Sequence, residues 1–396
     1  MHIKSAKCLF VAGVSAALCN SAWALDPQSI KLFEGVMFTP SLKVAERYDD
    51  NFRAVQNGKQ SSWITGITPT FVLDAENAKS DYILSYSAES NIFHSSPSAD
   101  HTDHHLMADA NYEFDAHNRL QLGAGYHRVE DTASQNVNKY SLENDKFSTA
   151  NVGGLYSYGV PQSSLMQVDF FGNYEQLRYH NSGDLSSSLE RNTTSLGSIF
   201  YYRVGPKTRV LFEARDTNYD YISNTALNSN DIGLLGGLVW DVSAKISGTF
   251  KFGAERKRFD DSSLSPRSGS LWEALVSWHP GIYSTFNLST LRAIQENDDS
   301  NVTVAASSIE TKRTRLEWKN QWLDRLTSEV SYSYIEKQYQ DVSRSDQESN
   351  FGLGLTYEMR RWLDVGVGYQ LLKNDSSLWG KSYERNIFSI SFTASL

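Results

Sequence analysis

Three adjacent oxygen-bearing side chains near the N-terminus could take part in chemistry. The stretch ERYDDNFR, residues 46–53, places Asp49, Asp50 and Asn51 side by side after a run that alternates apolar and polar residues. Carboxylate and amide oxygens could bind a divalent cation, and a carboxylate pair could act as acid and base in catalysis. The same residues could instead pack at the rim of a β-sheet. Because no spaced set of further ligands accompanies them, the sequence favours the rim role first, a cation contact shared with lipopolysaccharide second, and catalysis last.

Histidines form the second cluster of candidate ligands, because four of the nine histidines fall between residues 94 and 105. Imidazoles at this density can bind Zn²⁺. The sequence offers no second ligand cluster at a defined spacing, so it favours a flexible surface loop over a metal site. The motifs G-x-S-x-G and H-E-x-x-H and a phosphate-binding glycine loop are also absent from the sequence. We therefore expect a protein that is not an enzyme, with no catalytic residue, no cofactor and no metal site.

Residues 1–24 have the features of a secretory signal peptide. Lys4 and Lys7 precede the apolar stretch CLFVAGVSAALC, and Ala22-Trp23-Ala24 forms an A-x-A cleavage site. A lipoprotein signal ending at Cys19 is the alternative, although the residue before this cysteine is larger than that signal requires. The sequence thus predicts export from the cytoplasm and removal of the signal.

Cleavage at this site would change the composition of the chain. It would remove both cysteines, so we expect no disulfide in the mature protein. It would also remove two lysines and no acid, which makes the mature chain more acidic than the net charge of −9 of the whole sequence. An acidic chain is a poor candidate for binding nucleic acid. We expect residues 25–34 to form a short periplasmic extension and residues 35–396 to form the main domain.

The main domain has strand patterns and no apolar segment that could form a membrane helix. Its longest apolar run, IGLLGGLVW at 232–240, is well short of the roughly 20 residues that a membrane helix needs. Apolar residues instead recur at every second position, which is the period of a β-strand. This alternation occurs in LMADANYEF (106–114), RLQLGAGYH (119–127), TSLGSIFYY (194–202), KISGTFKFG (245–253), TSEVSYSY (327–334) and NFGLGLTYE (350–358). Strands that enter a membrane must close into a barrel, because lipid cannot satisfy unpaired backbone groups.

The connections between these segments alternate in length. The short ones lie near residues 75, 116, 159, 205, 241, 279, 323 and 359. The long polar ones lie near 47–61, 94–104, 128–146, 178–191, 217–230, 256–268, 292–307, 337–347 and 370–382. They predict an all-β, transmembrane, antiparallel up-and-down β-barrel of about eighteen strands, with short periplasmic turns and long extracellular loops. Sixteen strands are the alternative if segments such as 35–46 or 62–73 lie outside the membrane, and a soluble β-sandwich or propeller is the alternative fold.

Aromatic residues recur where strands run into short turns. In an outer-membrane barrel such residues form a girdle at the periplasmic interface, because amphipathic rings prefer the depth of the lipid headgroups. The predicted periplasmic aromatic girdle consists of Phe114, Tyr158, Tyr202, Trp240, Trp278, Trp322 and Tyr357.

Charged residues on the opposite strand face predict a lumen with two different walls. The candidate acidic wall, on the third to seventh predicted strands, consists of Asp81, Glu89, Asp109, Glu113, Asp169 and Glu175. The candidate basic wall, on the ninth to fourteenth, consists of Arg209, Arg215, Lys245, Lys251, Arg313, Arg315 and Lys319. Minority charges of opposite sign include Arg119, Glu213, Glu273 and Glu317. Facing walls of opposite charge would set a transverse field that selects solutes. Alternatively, these charges pair across neighbouring strands and only hydrate the lumen.

The two ends of the main domain carry a family resemblance. FTPSLKVAERYDDNF at the start and YERNIFSISFTASL at the end resemble the first and last strands of the putative β-barrel porin-2 family. The resemblance implies an outer-membrane protein encoded beside an exopolysaccharide system, and hence a role in polysaccharide export. The alternating last strand is also typical of chains that the barrel-assembly machinery inserts.

We therefore expect a bacterial outer-membrane protein that is a passive conduit for exopolysaccharide. Outer-membrane lipids, lipopolysaccharide and the polysaccharide cargo are the expected partners. Residues 25–34 leave no room for a periplasmic helical-repeat domain, so export would require separate periplasmic and inner-membrane components. A general or sugar-uptake diffusion porin is the alternative function, and a structural barrel that does not conduct is a further one.

Overall fold

In the computed structural model, the described residues are 29–132, 144–160, 163–181, 185–243, 245–297 and 306–395. The predicted signal peptide, the first residues of the predicted periplasmic extension and the C-terminal Leu396 lie outside these ranges. No helix in the described part of the chain is long and apolar enough to cross a membrane.

Nineteen strands account for nearly all of the described structure, and three short 3-10 turns lie between them. The first ten strands are β1 Ile30–Phe33, β2 Val36–Asp49, β3 Ser62–Glu76, β4 Ser80–Phe93, β5 His101–Glu113, β6 Asn118–Asp131, β7 Asp145–Tyr158, β8 Met166–Tyr179, β9 Arg191–Gly205 and β10 Thr208–Tyr221. The others are β11 Ser229–Ser243, β12 Ile246–Phe259, β13 Arg267–Trp278, β14 Ser284–Gln295, β15 Ile309–Leu323, β16 Leu326–Tyr339, β17 Arg344–Arg360, β18 Leu363–Ser376 and β19 Tyr383–Ser395.

Strands β2 to β19 form one closed antiparallel barrel. Each strand pairs with the next in the chain, and β19 returns to pair with β2 from Ile387 opposite Asp49 to Ser395 opposite Ser41. The barrel therefore has eighteen strands, as predicted. The segments 35–46 and 62–73 fall within or overlap β2 and β3, so the alternative of sixteen strands is wrong.

The extra strand β1 extends the pairing at the periplasmic end of the seam. It forms a hairpin with the start of β2, where Ile30 lies opposite Phe38. This part of β2 lies beyond the end of its pairing with β19. β1 thus covers a stretch of strand edge that would otherwise leave backbone groups unpaired.

Adjacent residues on one strand have opposite environments, because side chains alternate between the two faces of a sheet. In β10, the Leu211 side chain is 1% exposed and the neighbouring Phe212 is 62% exposed. The same alternation leaves Leu353 and Leu355 of β17 exposed and turns Gly352 and Gly354 to the inside. A barrel has its apolar surface on the outside, where lipid covers it.

The strands continue beyond the predicted ends and shorten the predicted loops. The predicted long connection at 337–347 is a turn at 340–343, because β16 and β17 stay paired up to Tyr339 opposite Arg344. Outside the membrane a strand needs only its backbone ladder, so the apolar alternation used for the prediction ends before the strand does. The extended wall supports side-chain packing at the outer mouth, where Phe52, Ile64, Phe93 and Ala99 form one buried cluster.

Candidate functional site

Asp49, Asp50 and Asn51 lie where the barrel closes. The Arg385 guanidinium of β19 donates to the Asp49 carboxylate at 2.5 and 2.8 Å. Asp50 accepts from the backbone and side-chain amides of Asn386 at 2.7 and 2.8 Å. The Asn51 amide donates to the carbonyl of Glu384 at 2.9 Å. These contacts join the first and last barrel strands at the outer rim, which is the rim role that the sequence favoured.

No cation site forms around these carboxylates in the part of the chain that the structure describes. Among the described residues, no three or more His, Cys, Asp or Glu side chains are arranged to hold a metal ion. The oxygens of Asp49 and Asp50 instead accept hydrogen bonds from arginine and amide donors. The three side chains therefore have a structural role as a lock on the seam.

The prediction of a flexible loop for the clustered histidines is wrong for three of them. His101, His104 and His105 belong to β5, because the ladder between β4 and β5 continues to Asn91 opposite His101. Because side chains on a strand alternate between its two faces, His104 and His105 point to opposite sides of the barrel wall. His105 faces the lumen and its Nδ1 lies 2.9 Å from Nδ1 of His127, whereas His104 faces outward.

All seven residues of the predicted periplasmic aromatic girdle lie at the short-turn end of their strands. Phe114 follows the last residue of β5, and the others lie within β7, β9, β11, β13, β15 and β17. Six of them are exposed on the outside of the barrel, and Trp240 is partly exposed. Their position fits a headgroup contact, which stays a prediction.

Carboxylates of the predicted acidic wall lie on the inner face of β4, β5 and β8. Asp81 accepts from the Asn111 amide at 2.8 Å, Glu89 lies 3.5 Å from Arg47, and Asp169 accepts from Gln167 at 2.7 Å. Glu175 on β8 interacts with the positive charge of Arg191. Asp109 and Glu113 make no ion pair with any described side chain. Glu113 lies opposite Arg119 in the register of β5 and β6, whereas Asp109 lies opposite Gly123 and supplies negative charge on this side of the lumen.

Much of the predicted basic wall is neutralised by its minority acids. Arg215 and Lys251 share Glu213 and Glu273 in a network of four ion pairs with distances of 2.7 to 3.0 Å. The four side chains come from β10, β12 and β13, whose pairing brings them together. This result agrees with the cross-strand pairing that the sequence left open as an alternative.

The other predicted basic residues differ in their surroundings. Arg209 donates to Gln167 at 2.9 Å and lies over the Tyr201 ring. Lys245 lies in the short turn before β12 and not on the strand, so its assignment to the lumen wall is corrected. Arg315 pairs with Glu317 at 2.5 Å. Arg313 and Lys319 make no hydrogen bond or ion pair with a described residue, although Lys319 lies opposite Glu329 in the register of β15 and β16.

The free charges lie on opposite sides of the barrel. Asp109 and Glu113 are on β5, and Arg313 and Lys319 are on β15, ten strands further along the chain and so eight strands away in the other direction. In a barrel of eighteen strands this separation is close to half the circumference. The transverse field predicted from thirteen charges would therefore come from a much smaller set.

The chain that leaves β14 folds into the outer mouth. Glu296 lies against the inner face of the barrel, where its carboxylate accepts from Lys257 and, at 2.6 Å, from the Tyr221 hydroxyl. The side chains of Lys257 and Glu296 are 0% and 3% exposed. Lys257 also lies 4.0 Å from the centre of the Tyr219 ring. We call Lys257, Glu296 and Tyr221 the mouth clamp. Sequence reasoning missed it, because Glu296 lies in a polar stretch with no pattern that marks an inward fold.

The far end of the same connection is anchored on the turn between β16 and β17. Ser307 and Arg267 both donate to the carboxylate of Asp341, and Ala306 and Ile309 pack against Tyr339. Partial burial raises the pKa of Asp341, but these hydrogen bonds outweigh it and hold the pKa below its ordinary value. The stabilisation is therefore present above the ordinary pKa and is lost only as the pH falls through the lowered one. We expect this anchor to persist at neutral and mildly acidic pH.

A family comparison agrees with this architecture. The family model described as Putative beta-barrel porin 2 matches residues 35–396. The chain belongs to this family. The match begins just before β2 and covers the whole barrel, including the seam between β2 and β19. As a member of the Putative beta-barrel porin 2 family, the chain is an outer-membrane β-barrel protein of the porin type. The family and the fold are those of porins. The absence of enzymatic activity stays a prediction.

Solved outer-membrane barrels are similar in architecture at low identity. The outer membrane protein OpdK from Pseudomonas aeruginosa aligns with a TM-score of 0.49 and 11% identity, over 91% of this chain and 99% of that one. OccAB3 from Acinetobacter baumannii aligns with a TM-score of 0.47 and 10% identity, over 91% of this chain and 99% of that one. The FrpB iron transporter from Neisseria meningitidis (F3-3 variant) aligns with a TM-score of 0.46 and 12% identity, over 85% of this chain but only 62% of the transporter chain. No curated protein sequence matches the chain.

Proposed function

We propose that this barrel is a passive conduit for the export of exopolysaccharide across the outer membrane. The observation that carries the proposal is a smooth sector of the lumen on β16 to β19, which we call the Gly/Ser wall. Its inward residues at mid-height are Ser331, Gly352, Gly354, Gly366, Gly368, Ser389 and Ser391. These side chains leave the lumen wide on this side and offer hydroxyl groups without charge.

Such a surface suits a moving sugar chain. Serine hydroxyls can exchange hydrogen bonds with sugar hydroxyls one at a time. Glu329, opposite Gly354, is the one charged side chain among the inward residues of this wall at mid-height. The glycines are tightly fitted, since a Cβ at Gly366 or Gly368 would lie 2.6 to 2.7 Å from a serine hydroxyl of β19. The smooth wall therefore depends on glycine at these positions.

The opposite side of the lumen offers an aromatic surface. β8 lies nine strands from β17, which is half of the circumference, and carries Phe171 on its inner face. The Phe171 ring lies against Gly197 of β9, where a Cβ would be 2.3 Å from the ring edge. A ring that lies flat on the wall can present its other face to a sugar. Tyr201 is less suited to this role, because the Arg209 guanidinium lies 4.8 Å from the centre of its ring.

A diffusion porin for small solutes is the second candidate, and the mouth clamp favours it. Glu296, which the mouth clamp holds against the inner face, occupies part of the outer mouth. A narrower mouth would restrict a polymer more than a small sugar. The two functions differ in direction and in the size of the cargo, and both require an open lumen.

The deciding test combines secretion with conductance. We expect a strain that lacks this gene to lose surface polysaccharide, and the purified protein to form channels in planar bilayers that the polymer blocks reversibly. Normal polysaccharide with a conducting channel would reject export and leave the diffusion porin. A protein that forms no channel would reject both functions and identify a structural barrel.

The free cations of β15 should control ion selectivity. Replacing both Arg313 and Lys319 with Gln should shift the permeability ratio toward cations by a factor of about two to three, because two lumen cations without an ion pair are removed while the lumen carboxylates remain. The measurement is the reversal potential under a salt gradient. The control is Lys373→Gln, which removes a cation from the outer face of β18. An equal shift in the control would show that the lumen charges do not set selectivity.

A further inference from the structure

A row of cationic side chains crosses the outward face of β5 to β8 near the outer mouth. His104 lies opposite Arg128, Arg128 lies opposite Ser148, and Ser148 lies opposite Arg178 in the strand register. We call His104, Arg128 and Arg178 the cationic row. Adjacent strands are about 4.8 Å apart, so the backbones of the two arginines lie roughly 10 Å from each other along the hydrogen-bonding direction.

Apolar and aromatic residues lie directly below this row, on the membrane side. Leu106 and Tyr126 occupy the next outward positions on β5 and β6, and both are exposed. Together with Tyr86, His104 and Arg128 they line a groove of about 300 Å³. The Tyr86 hydroxyl lies 2.9 Å from His104 Nδ1, and this contact holds one side of the groove in place. A surface that changes from apolar to cationic within one residue pair matches the boundary between acyl chains and headgroups.

No described carboxylate forms a direct ion pair with the row, and Asp220 is linked to Arg178 only through the Asn192 amide. Arg128 is exposed and makes no hydrogen bond or ion pair with a described residue. Arg178 donates only to neutral acceptors, namely the carbonyls of Leu177 and Arg191 and the amide oxygen of Asn192 at 2.5 Å. β5 to β8 are described in full, and Glu130 is the one carboxylate on their outward faces. Glu130 lies 3.8 Å from Lys146, outside the row.

We propose that the cationic row is a binding site for the phosphate groups of an outer-leaflet glycolipid. Guanidinium groups bind phosphate through two parallel hydrogen bonds, and the fixed spacing of Arg128 and Arg178 suits a headgroup with two phosphates. Tyr126, Leu106 and the groove beside them contact the upper part of the acyl chains. The proposal concerns the outside of the barrel and does not depend on the solute that crosses the lumen.

The test is a titration of the detergent-purified protein with bisphosphorylated lipid A, followed by native mass spectrometry. We expect Arg128→Gln with Arg178→Gln to weaken binding by roughly tenfold or more, since each charged contact to phosphate is worth at least that order. Substitution of both by Lys should retain part of the affinity. The matched control is Arg325→Gln with Arg361→Gln, which removes the same charge from exposed periplasmic turns and should leave binding unchanged.

Three outcomes would overturn the proposal. Equal affinity for bisphosphorylated and dephosphorylated lipid A would show that phosphate is not recognised. Displacement of the lipid by millimolar inorganic phosphate would identify a site for free phosphate. Unchanged binding by a Gln variant that still shows the heat-shifted mobility of a folded barrel would place the lipid elsewhere. If that variant does not fold, the comparison of the two lipids on the natural protein still decides the question.

Discussion

Replacing Asp49 with Ala is expected to lower the free energy of unfolding by about 3 kcal/mol, because it leaves the Arg385 guanidinium at the seam without its carboxylate. Asp49 is 1% exposed, and the Arg385 side chain is 19% exposed. The substitution also removes the acceptor for the backbone amide of Asn51 at 2.9 Å. The seam is the one place where strands distant in sequence must find each other, so we expect slower barrel closure as well.

Urea unfolding in lipid vesicles, read by the heat-shifted gel mobility of the folded barrel, measures this effect. The matched control is Asp375→Asn, which breaks the pair that Asp375 forms with Lys373 at 2.8 Å, where the two side chains are 61% and 47% exposed. An exposed pair of this kind contributes about 0 to 1 kcal/mol. In a double-mutant cycle, Asp49→Ala and Arg385→Ala should be strongly coupled. Losses of equal size in the Asp49 and Asp375 variants would show that the seam contacts are not special.

Replacing Glu296 with Ala should open the outer mouth. The substitution breaks the buried pair with Lys257 and leaves Asp231, which lies opposite Lys257 in the register of β11 and β12, as a counter-charge. Breaking a buried pair costs up to about 3–5 kcal/mol, and this cost applies while the segment at residues 296–297 stays folded inward. The segment can avoid that cost by moving out of the lumen and letting water reach Lys257. We therefore expect a larger and noisier single-channel conductance, with little change in the stability of the barrel itself.

A second variant separates the charge from the fold of the segment. Lys257→Met with Glu296→Leu replaces the buried pair by two apolar side chains, an exchange that is often neutral or stabilising. Its conductance should return toward that of the natural protein. The control Glu336→Gln breaks an exposed pair with Lys312 on the outside of the barrel and should change nothing. If the folded Glu296→Ala barrel has the same single-channel conductance as the natural protein, the mouth clamp does not narrow the channel.

The strand count and the facing of each strand follow from the sequence for a physical reason. Lipid allows only apolar side chains on one face of a strand and only paired backbone along it. A shift of β10 by one residue would turn Glu213 and Arg215 to lipid in place of Phe212. The membrane therefore imposes a strict two-residue period on the apolar residues of each strand, and this period can be recognised from the sequence alone. The same constraint placed the aromatic residues at one end of the strands.

The ends of the strands were less predictable, because this constraint weakens above the membrane. The ladder of β5 continues into the histidines that the sequence assigned to a loop, and the ladder of β16 and β17 shortens the predicted loop at 337–347 to a turn. Hydrogen-bonded strands in water tolerate polar residues on both faces. No alternation marks where they stop.

Tertiary structure alone decided which charges of the lumen act freely. The sequence placed Arg215, Lys251, Glu213 and Glu273 on the same face, but only the register of β10 to β13 shows that they neutralise each other. Arg313 and Lys319 form no ion pair with a described residue. The contact between Asp49 and Arg385 at the seam joins residues far apart in the chain. The mouth clamp joins Lys257 to Glu296, which turns inward after β14. Periodicity reports the local environment of a residue, and these contacts depend on barrel closure and on strand register, which no local pattern encodes.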